Sequence, residues 1–330
     1  MSAVPAPLPP EAPGPDLRVD LGRGLVLPNP VGLASGTAGY GFELRQLIDL
    51  DRLGALFTKG TTLRPRDGNP PPRVAEVRGG MLNSIGLHNP GVEHVAAVYA
   101  AEFTRWRVPV VVNVAGGNVD DYLGCLDRLD AAEGIAGYEL NISCPNIANG
   151  LDYGRDPVAA ARLVAATRAR TNRHLMVKLS PNVTDIAAVA RAVEDAGADS
   201  VSAVNTYVGM KIHRGIRAPV LPGRGTGGLS GPVIKPLALA AVAQVRAAVS
   251  IPVVGVGGIM DAGDAQEFLI AGANAVQVGT ATFVNPAAAL EVLDGLLALA
   301  LRSGIGRPPG RPGGAVRAVP PAGIEPASTG

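Results

Sequence analysis

Eight times along this chain a short, nearly continuous apolar run ends near a glycine or a small polar residue and gives way to a longer amphipathic stretch. The runs are VGLASG (31–36), GALFTKG (54–60), VPVVVNVAG (108–116), AGYELNIS (136–143), HLMVKLS (174–180), SVSAVNT (200–206), VVGVGG (253–258) and AVQVGTA (275–281). Residues apolar at successive positions suit strands buried on both faces, as in a parallel sheet; a half-exposed antiparallel sheet would alternate. Helical candidates follow near 43–53, 91–106, 119–132, 157–171, 185–196, 233–249, 263–271 and 287–303. Eight βα units over roughly 290 residues match a single (β/α)8 TIM barrel in count and length. The segment 19–27 is predicted to form an N-terminal hairpin across the barrel bottom. A doubly wound α/β sheet is the structural alternative, but it usually has fewer strands or a second domain. No linker-like change of composition interrupts 17–306.

The chain holds 43 glycines and 29 prolines among 330 residues, enough to raise the question of disorder. Their placement answers it. Six prolines fall in 1–16 and six in 307–330. Neither segment has the apolar periodicity to bury enough surface against the entropy of ordering, so both are expected to be disordered tails. The N-terminus lacks the basic start and apolar run of a signal peptide, and the apolar stretch 287–301 carries Glu291 and Asp294, so no membrane span is expected. With 29 basic against 28 acidic residues, there is no broad electrostatic case for nucleic acid or anionic membranes. Two cysteines, Cys125 and Cys144, exclude a disulfide framework or a four-cysteine cluster site within the chain. Unpaired thiols point to a cytoplasmic protein.

Barrel enzymes place their chemistry at the C-terminal ends of the strands. Collected there are Ser35, Lys59, Asn113, Asn141 with Ser143 and Cys144, Lys178, Asn205 with Thr206, Gly257 with Gly258, and Gly279 with Thr280. One such residue is usually a turn former or helix cap. Polar groups at all eight ends, rich in amides and poor in carboxylates, suit a planar amide-bearing ligand and an anion. They do not suit a metal, and His88, His94, His174 and His213 show no ligand spacing on a common element. Only four of the 29 basic residues are lysine: Lys59, Lys178, Lys211 and Lys235. Two of them at strand ends suggest a need for a compact ammonium rather than a planar fork, with pairing to a structural carboxylate as the alternative. Lys211 and Lys235 are expected on a loop and a helix surface. Glycines after the seventh and eighth strands (VGVGGIMDAGDA, VQVGTATF) fit a backbone phosphate site. The GRGTGG stretch at 223–228 has no strand before it and no helix opening from it, which argues against a dinucleotide fingerprint. The insertions 61–90 and 207–232 read as irregular, Gly/Pro-rich loops covering the active-site face, or else as surface decoration. Cys125 lies in a helical pattern and reads as packing. No adjacent histidine could activate Cys144 for acyl chemistry, so a proton-abstracting cysteine beside a redox cofactor stays open.

At these positions the chain resembles the dihydroorotate dehydrogenases, flavin enzymes of pyrimidine biosynthesis. The resemblance runs through ASGT (34–37), FTKGTT (57–62), NSIGLHNPG (83–91), VNVAG (112–116), LNISCPN (140–146), VKLSPNVTDI (177–186), VNT (204–206), GGLSGP (227–232), GVGGI (255–259) and VQVGTA (276–281), in order, over about residues 17–305. GVGGI alone is shared with other flavin barrels; NSIGLHNPG, LNISCPN and LSPNVTDI together are specific. The cysteine in LNISCPN resembles class 1, where a membrane-associated class has serine, and CPNIANG with LSPNVTDI looks most like the class 1B catalytic subunit.

The resemblance implies an FMN-binding barrel over 17–306 that oxidises dihydroorotate to orotate. Cys144 would remove the C5 proton while hydride passes from C6 to the flavin. Orotate would be held by Lys59, Asn83, Asn141, Asn205 and Thr206, with backbone contacts from Ser84, Ile85, Gly86 and Leu87. FMN would be held by Ser35, Lys59, Gly60, Asn113, Asn141, Lys178, Val204, Gly231, Gly257, Gly258, Gly279 and Thr280, the last four of these around the phosphate. The resemblance further implies a homodimer core, built into a heterotetramer where an electron-transfer subunit joins it, with FAD and a [2Fe–2S] cluster on that subunit, which passes electrons to NAD. Alternatives are a fumarate-linked class 1A enzyme, another FMN barrel such as a dihydropyrimidine dehydrogenase-like reductase, and a non-catalytic flavin-binding subunit.

Overall fold

The computed structural model describes residues 15–143, 153–223 and 225–303. The eight apolar runs become β1 (Val31–Leu33), β2 (Ala55–Phe57), β3 (Val110–Val114), β4 (Gly137–Asn141), β5 (His174–Lys178), β6 (Ser200–Ala203), β7 (Val253–Val256) and β8 (Ala275–Val278). They close into a barrel, with β8 returning to β1 through Gln277 beside Gly32. Lower in the barrel, alternate side chains of the strands face two different apolar neighbours, which is why the runs are nearly continuous in apolar residues. Leu33, Leu56, Val110, Val112, Leu140 and Val177 pack outward against the helices. Ala55, Phe57, Val111, Met176, Val254 and Ala275 form a separate inner cluster with Val19, Leu21, Leu25 and Leu27. The last four belong to the expected N-terminal hairpin, whose strands pair Val19 with Leu27, and they plug the barrel interior.

Helices connect the strands as the periodicity predicts, and several start on an Asn or Asp whose side chain accepts from a backbone N–H that the first turn leaves unpaired. Asn118, Asp156, Asp185 and Asp261 do this for Val119–Leu129, Pro157–Arg168, Ile186–Asp195 and Ala262–Ile270. The first unit departs from expectation. In place of a helix over 43–53 there are two short 3-10 turns, Leu44–Gln46 and Leu50–Arg52. Asp49 between them is extended (φ −79°, ψ 93°) and its carboxylate accepts from the Asp51 N–H, so the chain is capped and restarted halfway.

The two insertions are not irregular, which corrects the sequence reading. Val74–Val77 and Gly80–Asn83 from the first, with Tyr207–Gly209 and Gly227–Ser230 from the second, form one four-stranded antiparallel sheet. Its central pairing sets Leu82 opposite Leu229. Ile212–His213 and Ala218–Pro219 add a small hairpin. Glycine-rich strands such as 227–230 carry no local alternation, and their partners lie far away in sequence, so the pairing is invisible to periodicity. The consequence is functional: the loops after β2 and β6 roof the same barrel mouth. The disordered-tail expectation for 1–16 and 307–330 falls on residues outside the description, apart from Pro15 and Asp16.

Candidate active site

Beneath that roof, at the C-terminal ends of the strands, is a cavity of about 1020 Å³. Ser35, Lys59, Gly60, Asn113, Asn141, Lys178, Val204, Asn205, Thr206, Gly257, Gly258, Gly279 and Thr280 line it from the barrel, and Asn83, Ser84, Ile85, Gly86, Leu87 and Gly231 from the insertions. The structure therefore brings together every expected site residue that it describes; Cys144 lies outside the described residues. Sequence reasoning missed Arg66, Arg155, Asn182, Gly228 and Ser230, which also line the cavity. Arg66, Arg155 and Asn182 sit in loops and Gly228 and Ser230 in the roof strand Gly227–Ser230, where only the tertiary pairing shows which way a residue faces. Four cationic side chains (Lys59, Arg66, Arg155, Lys178) and no carboxylate appear among the described lining residues. A low-dielectric hollow of that composition favours anions.

Polar side chains at the rim are fixed by the scaffold. The Asn205 amide donates to Asn141 Oδ1 at 3.2 Å, Asn83 donates to the Gly228 carbonyl at 3.1 Å, and Asn182 donates to the Thr206 carbonyl at 3.0 Å. The loop carrying Ser84 to Leu87 is held by Asn89, whose amide donates to Thr62 Oγ1 and to the Leu87 carbonyl. Its oxygen accepts from the Thr62 and Gly91 N–H groups. Lys59 is half-buried, and its ammonium is held below the ordinary lysine range, chiefly by burial and then by the nearby Arg73 charge, with Glu43 pulling the other way.

Under the rim the barrel interior changes character. Glu139 is fully buried. It accepts from Asn113 Nδ2 at 2.7 Å, Ser202 Oγ at 2.8 Å and Gln277 Nε2 at 2.9 Å. Lys178 Nζ lies 3.8 Å from the same carboxylate and donates to Ser35 Oγ at 2.9 Å. The partners come from β3, β5, β6 and β8, so this hub spans the barrel. Asn113 Oδ1 and Gln277 Oε1 are buried with no partner among the described residues. Glu139, Ser202 and Gln277 were not anticipated, although each is a polar residue inside an otherwise apolar run.

After β7 and β8 the chain forms a glycine cradle. Gly258 has φ +79°, and a Cβ there would stand 2.9 Å from both the Gly231 carbonyl oxygen and the Lys235 backbone nitrogen. Gly231 itself has φ +95°, and it leads through the turn Pro232–Ile234 into the helix Lys235–Ala248. A helix start and bare backbone at one end of a cationic cavity suit a phosphate. Ser230 and Thr280 hydroxyls, 2.9 Å apart, stand beside it. The orphaned Asn113 oxygen, the cradle that a Cβ would fill and the cationic lining together fit FMN.

The remaining candidates behave as structure. Cys125 is buried, and its thiol is pushed up to about 12, chiefly by burial. His174 opens β5 at the opposite end, where Nδ1–H donates to the Gly22 carbonyl and Nε2 accepts from Ser200 Oγ. Lys211 donates to the Glu76 carbonyl, and Lys235 pairs with Asp264 and Glu267. Among the described residues no group of His, Cys, Asp and Glu could hold a metal ion. Nor is any helix there long and apolar enough to cross a membrane.

Comparison with known proteins agrees with this geometry. The family model for dihydroorotate dehydrogenase matches residues 20–299. A Desulforamulus reducens protein is 51% identical over 88% of this chain and 95% of its own length. One from Trichlorobacter lovleyi is 52% identical over 86% and 92%, and one from Porphyromonas gingivalis 50% identical over 87% and 94%. Each of the three is a "dihydroorotate dehydrogenase B (NAD(+)), catalytic subunit". With the match running from the hairpin to the last helix and through every wall of the cavity, the chain belongs to the dihydroorotate dehydrogenase family.

Proposed function

We propose that this chain is the catalytic subunit of an FMN-dependent dihydroorotate dehydrogenase, oxidising (S)-dihydroorotate to orotate in pyrimidine biosynthesis and passing the electrons through a separate subunit to NAD. The observation that carries the reading is the cavity itself: four cations, no carboxylate, and a glycine cradle at one end. A substrate carboxylate and a cofactor phosphate both need such surroundings. When bound, FMN supplies the acceptor for the hydride leaving substrate C6.

The chain's own part is to hold, orient and move a proton. FMN is assigned to Ser35, Lys59, Gly60, Asn113, Asn141, Lys178 and Val204, with Gly231, Gly257, Gly258, Gly279 and Thr280 on the phosphate side. Lys178, buried and fixed by Ser35, is a stationary cation of the kind that stabilises developing negative charge. Orotate is assigned to Lys59, Asn83, Asn141, Asn205 and Thr206, with the backbone of Ser84, Ile85, Gly86 and Leu87. Cys144 takes the C5 proton on Sγ as the C6 hydride departs, which leaves the ring double bond and a neutral thiol.

The relatives' names carry NAD(+) and the word subunit, which favours that acceptor over fumarate. Two cysteines cannot ligate a [2Fe–2S] cluster, so we assign the cluster and FAD to the partner. Exposed Val208, Met210, Ile212 and Ile216 on the second insertion suit a homodimer contact within a heterotetramer, since apolar patches of this kind mark association surfaces. The disulfide-free pattern favours a cytoplasmic location. Anaerobic addition of dihydroorotate to the FMN-loaded chain is expected to bleach the flavin. Cys144→Ala should slow bleaching by roughly 10²–10⁴-fold, the usual worth of a positioned base. Bleaching at the parent rate would remove Cys144 from its role, and no bleaching of the parent would remove the substrate.

A further inference from the structure

Among the described residues, Glu139 is a fully buried carboxylate that meets both Asn113 and Lys178, and it stands beneath the cavity rather than in it. A carboxylate can only accept, so the groups it meets must turn donors toward it. That constraint fixes the Asn113 side chain: Nδ2 points down to Glu139 Oε2 at 2.7 Å, and Oδ1 of this cavity-lining residue is left buried with no partner among the described residues. A Cβ added at Gly60 would lie 3.1 Å from that oxygen, so the oxygen occupies the strip of wall that only a glycine leaves open. The same carboxylate stands 3.8 Å from Lys178 Nζ, with side-chain exposures of 0% and 5%. At such burial the two charges are screened much less than an exposed pair would be.

We propose that Glu139 is a positioning residue for the flavin site: it turns the Asn113 oxygen outward as an acceptor for a ring N–H and offsets the Lys178 charge that faces the bound ring. The proposal rests on the flavin reading above. Glu139 thereby sets how strongly the site prefers the electron-rich form of FMN. Ser202 and Gln277 hold the carboxylate from the far side of the barrel, which keeps it from swinging toward the cavity.

The test is the midpoint potential of FMN bound to the purified full chain, read by anaerobic dye-coupled titration. Glu139→Gln keeps the shape and removes one negative charge beside Lys178. The affinity ratio for reduced over oxidised FMN is expected to rise at least tenfold, a positive shift of about 30 mV for a two-electron couple. A potential within threefold of the parent ratio, or a negative shift, overturns the proposal. If Glu139→Gln does not fold, two other variants decide. Lys178→Met should shift the potential negative, and Lys178→Met with Glu139→Gln should return it to within threefold of the parent. A double variant identical to Lys178→Met would mean that Glu139 has no influence at the ring. A parent chain that takes up no FMN would instead fail the flavin reading itself, so the two failures are distinguishable.

Discussion

A single methyl group placed at Gly258 tests the phosphate cradle. Its φ of +79° costs an L-residue roughly 1–2 kcal/mol. The new Cβ would also stand 2.9 Å from the Gly231 carbonyl oxygen, from Lys235 N and from Lys235 Cβ. The first two are backbone atoms, so no rotamer change relieves the overlap, and overpacking of this kind costs about 1–3 kcal/mol. Relief comes only if the loop at Gly257 and Gly258 withdraws from Gly231, which opens the cradle. A backbone N–H that loses a phosphate oxygen forfeits about 1.5–3 kcal/mol, equivalent to roughly 10- to 150-fold in Kd. Titrating flavin-free Gly258→Ala with FMN by fluorescence quenching should show that loss, while riboflavin, which lacks the phosphate, should bind within twofold of the parent. Gly24→Ala is the control: φ is +77°, nothing among the described residues lies within 4 Å of the added carbon, and the residue sits in the hairpin at the barrel bottom. It should share the backbone cost and leave both affinities unchanged. Equal weakening of FMN and riboflavin in Gly258→Ala, or of neither, would refute a phosphate cradle at this loop.

Two predictions concern pH. Because burial and Arg73 disfavour the Lys59 ammonium, its proton is lost below the ordinary lysine value of 10.5; orotate affinity should therefore fall as pH rises through that lowered value. Lys59→Arg, which stays charged, should abolish this limb, and an unchanged limb would assign it elsewhere. His174 is shifted the other way from a typical paired histidine: burial, the leading cause, holds it below 6.5. Below 6.5 the unfolded chain binds a proton that the folded chain refuses, so stability should fall with decreasing pH from there until the folded imidazole titrates. The slope is at most about 1.4 kcal/mol per pH unit, and urea midpoints of the flavin-free protein should flatten across that window in His174→Asn.

The barrel was legible because its strands are buried on both faces, and nearly continuous apolar runs such as VVVNV (110–114), or the LMV within 174–178, report that directly. Strand-end residues followed from architecture alone: once β4 and β5 are parallel neighbours, Asn141 and Lys178 share a register and must emerge together. The failures have local physical causes. The stretch 43–53 has helical spacing, but Asp49 prefers to accept from the Asp51 N–H and breaks the run. Strand 80–83 pairs with 227–230 across a separation that leaves no periodic trace. Glu139 was hidden in plain view, since a charged residue within AGYELNIS reads as an interruption until the barrel closes and supplies donors from β3, β6 and β8.

Depth explains how the charges are distributed. A carboxylate at the cavity wall would repel both the substrate anion and the phosphate. None lines the cavity among the described residues, whereas four cations do. Lys178, however, is only 4% exposed, and an ammonium that deep loses several kcal/mol of hydration unless something compensates. A ligand could compensate only while bound. Glu139, one inward position earlier on the neighbouring strand, does so at all times, from a place where it meets no ligand. The same logic favours lysine over arginine at 178. A point charge can sit 3.8 Å from the buried carboxylate while spending its hydrogen bond on Ser35, whereas a guanidinium would be drawn into a fork on Glu139 and turn away from the cavity.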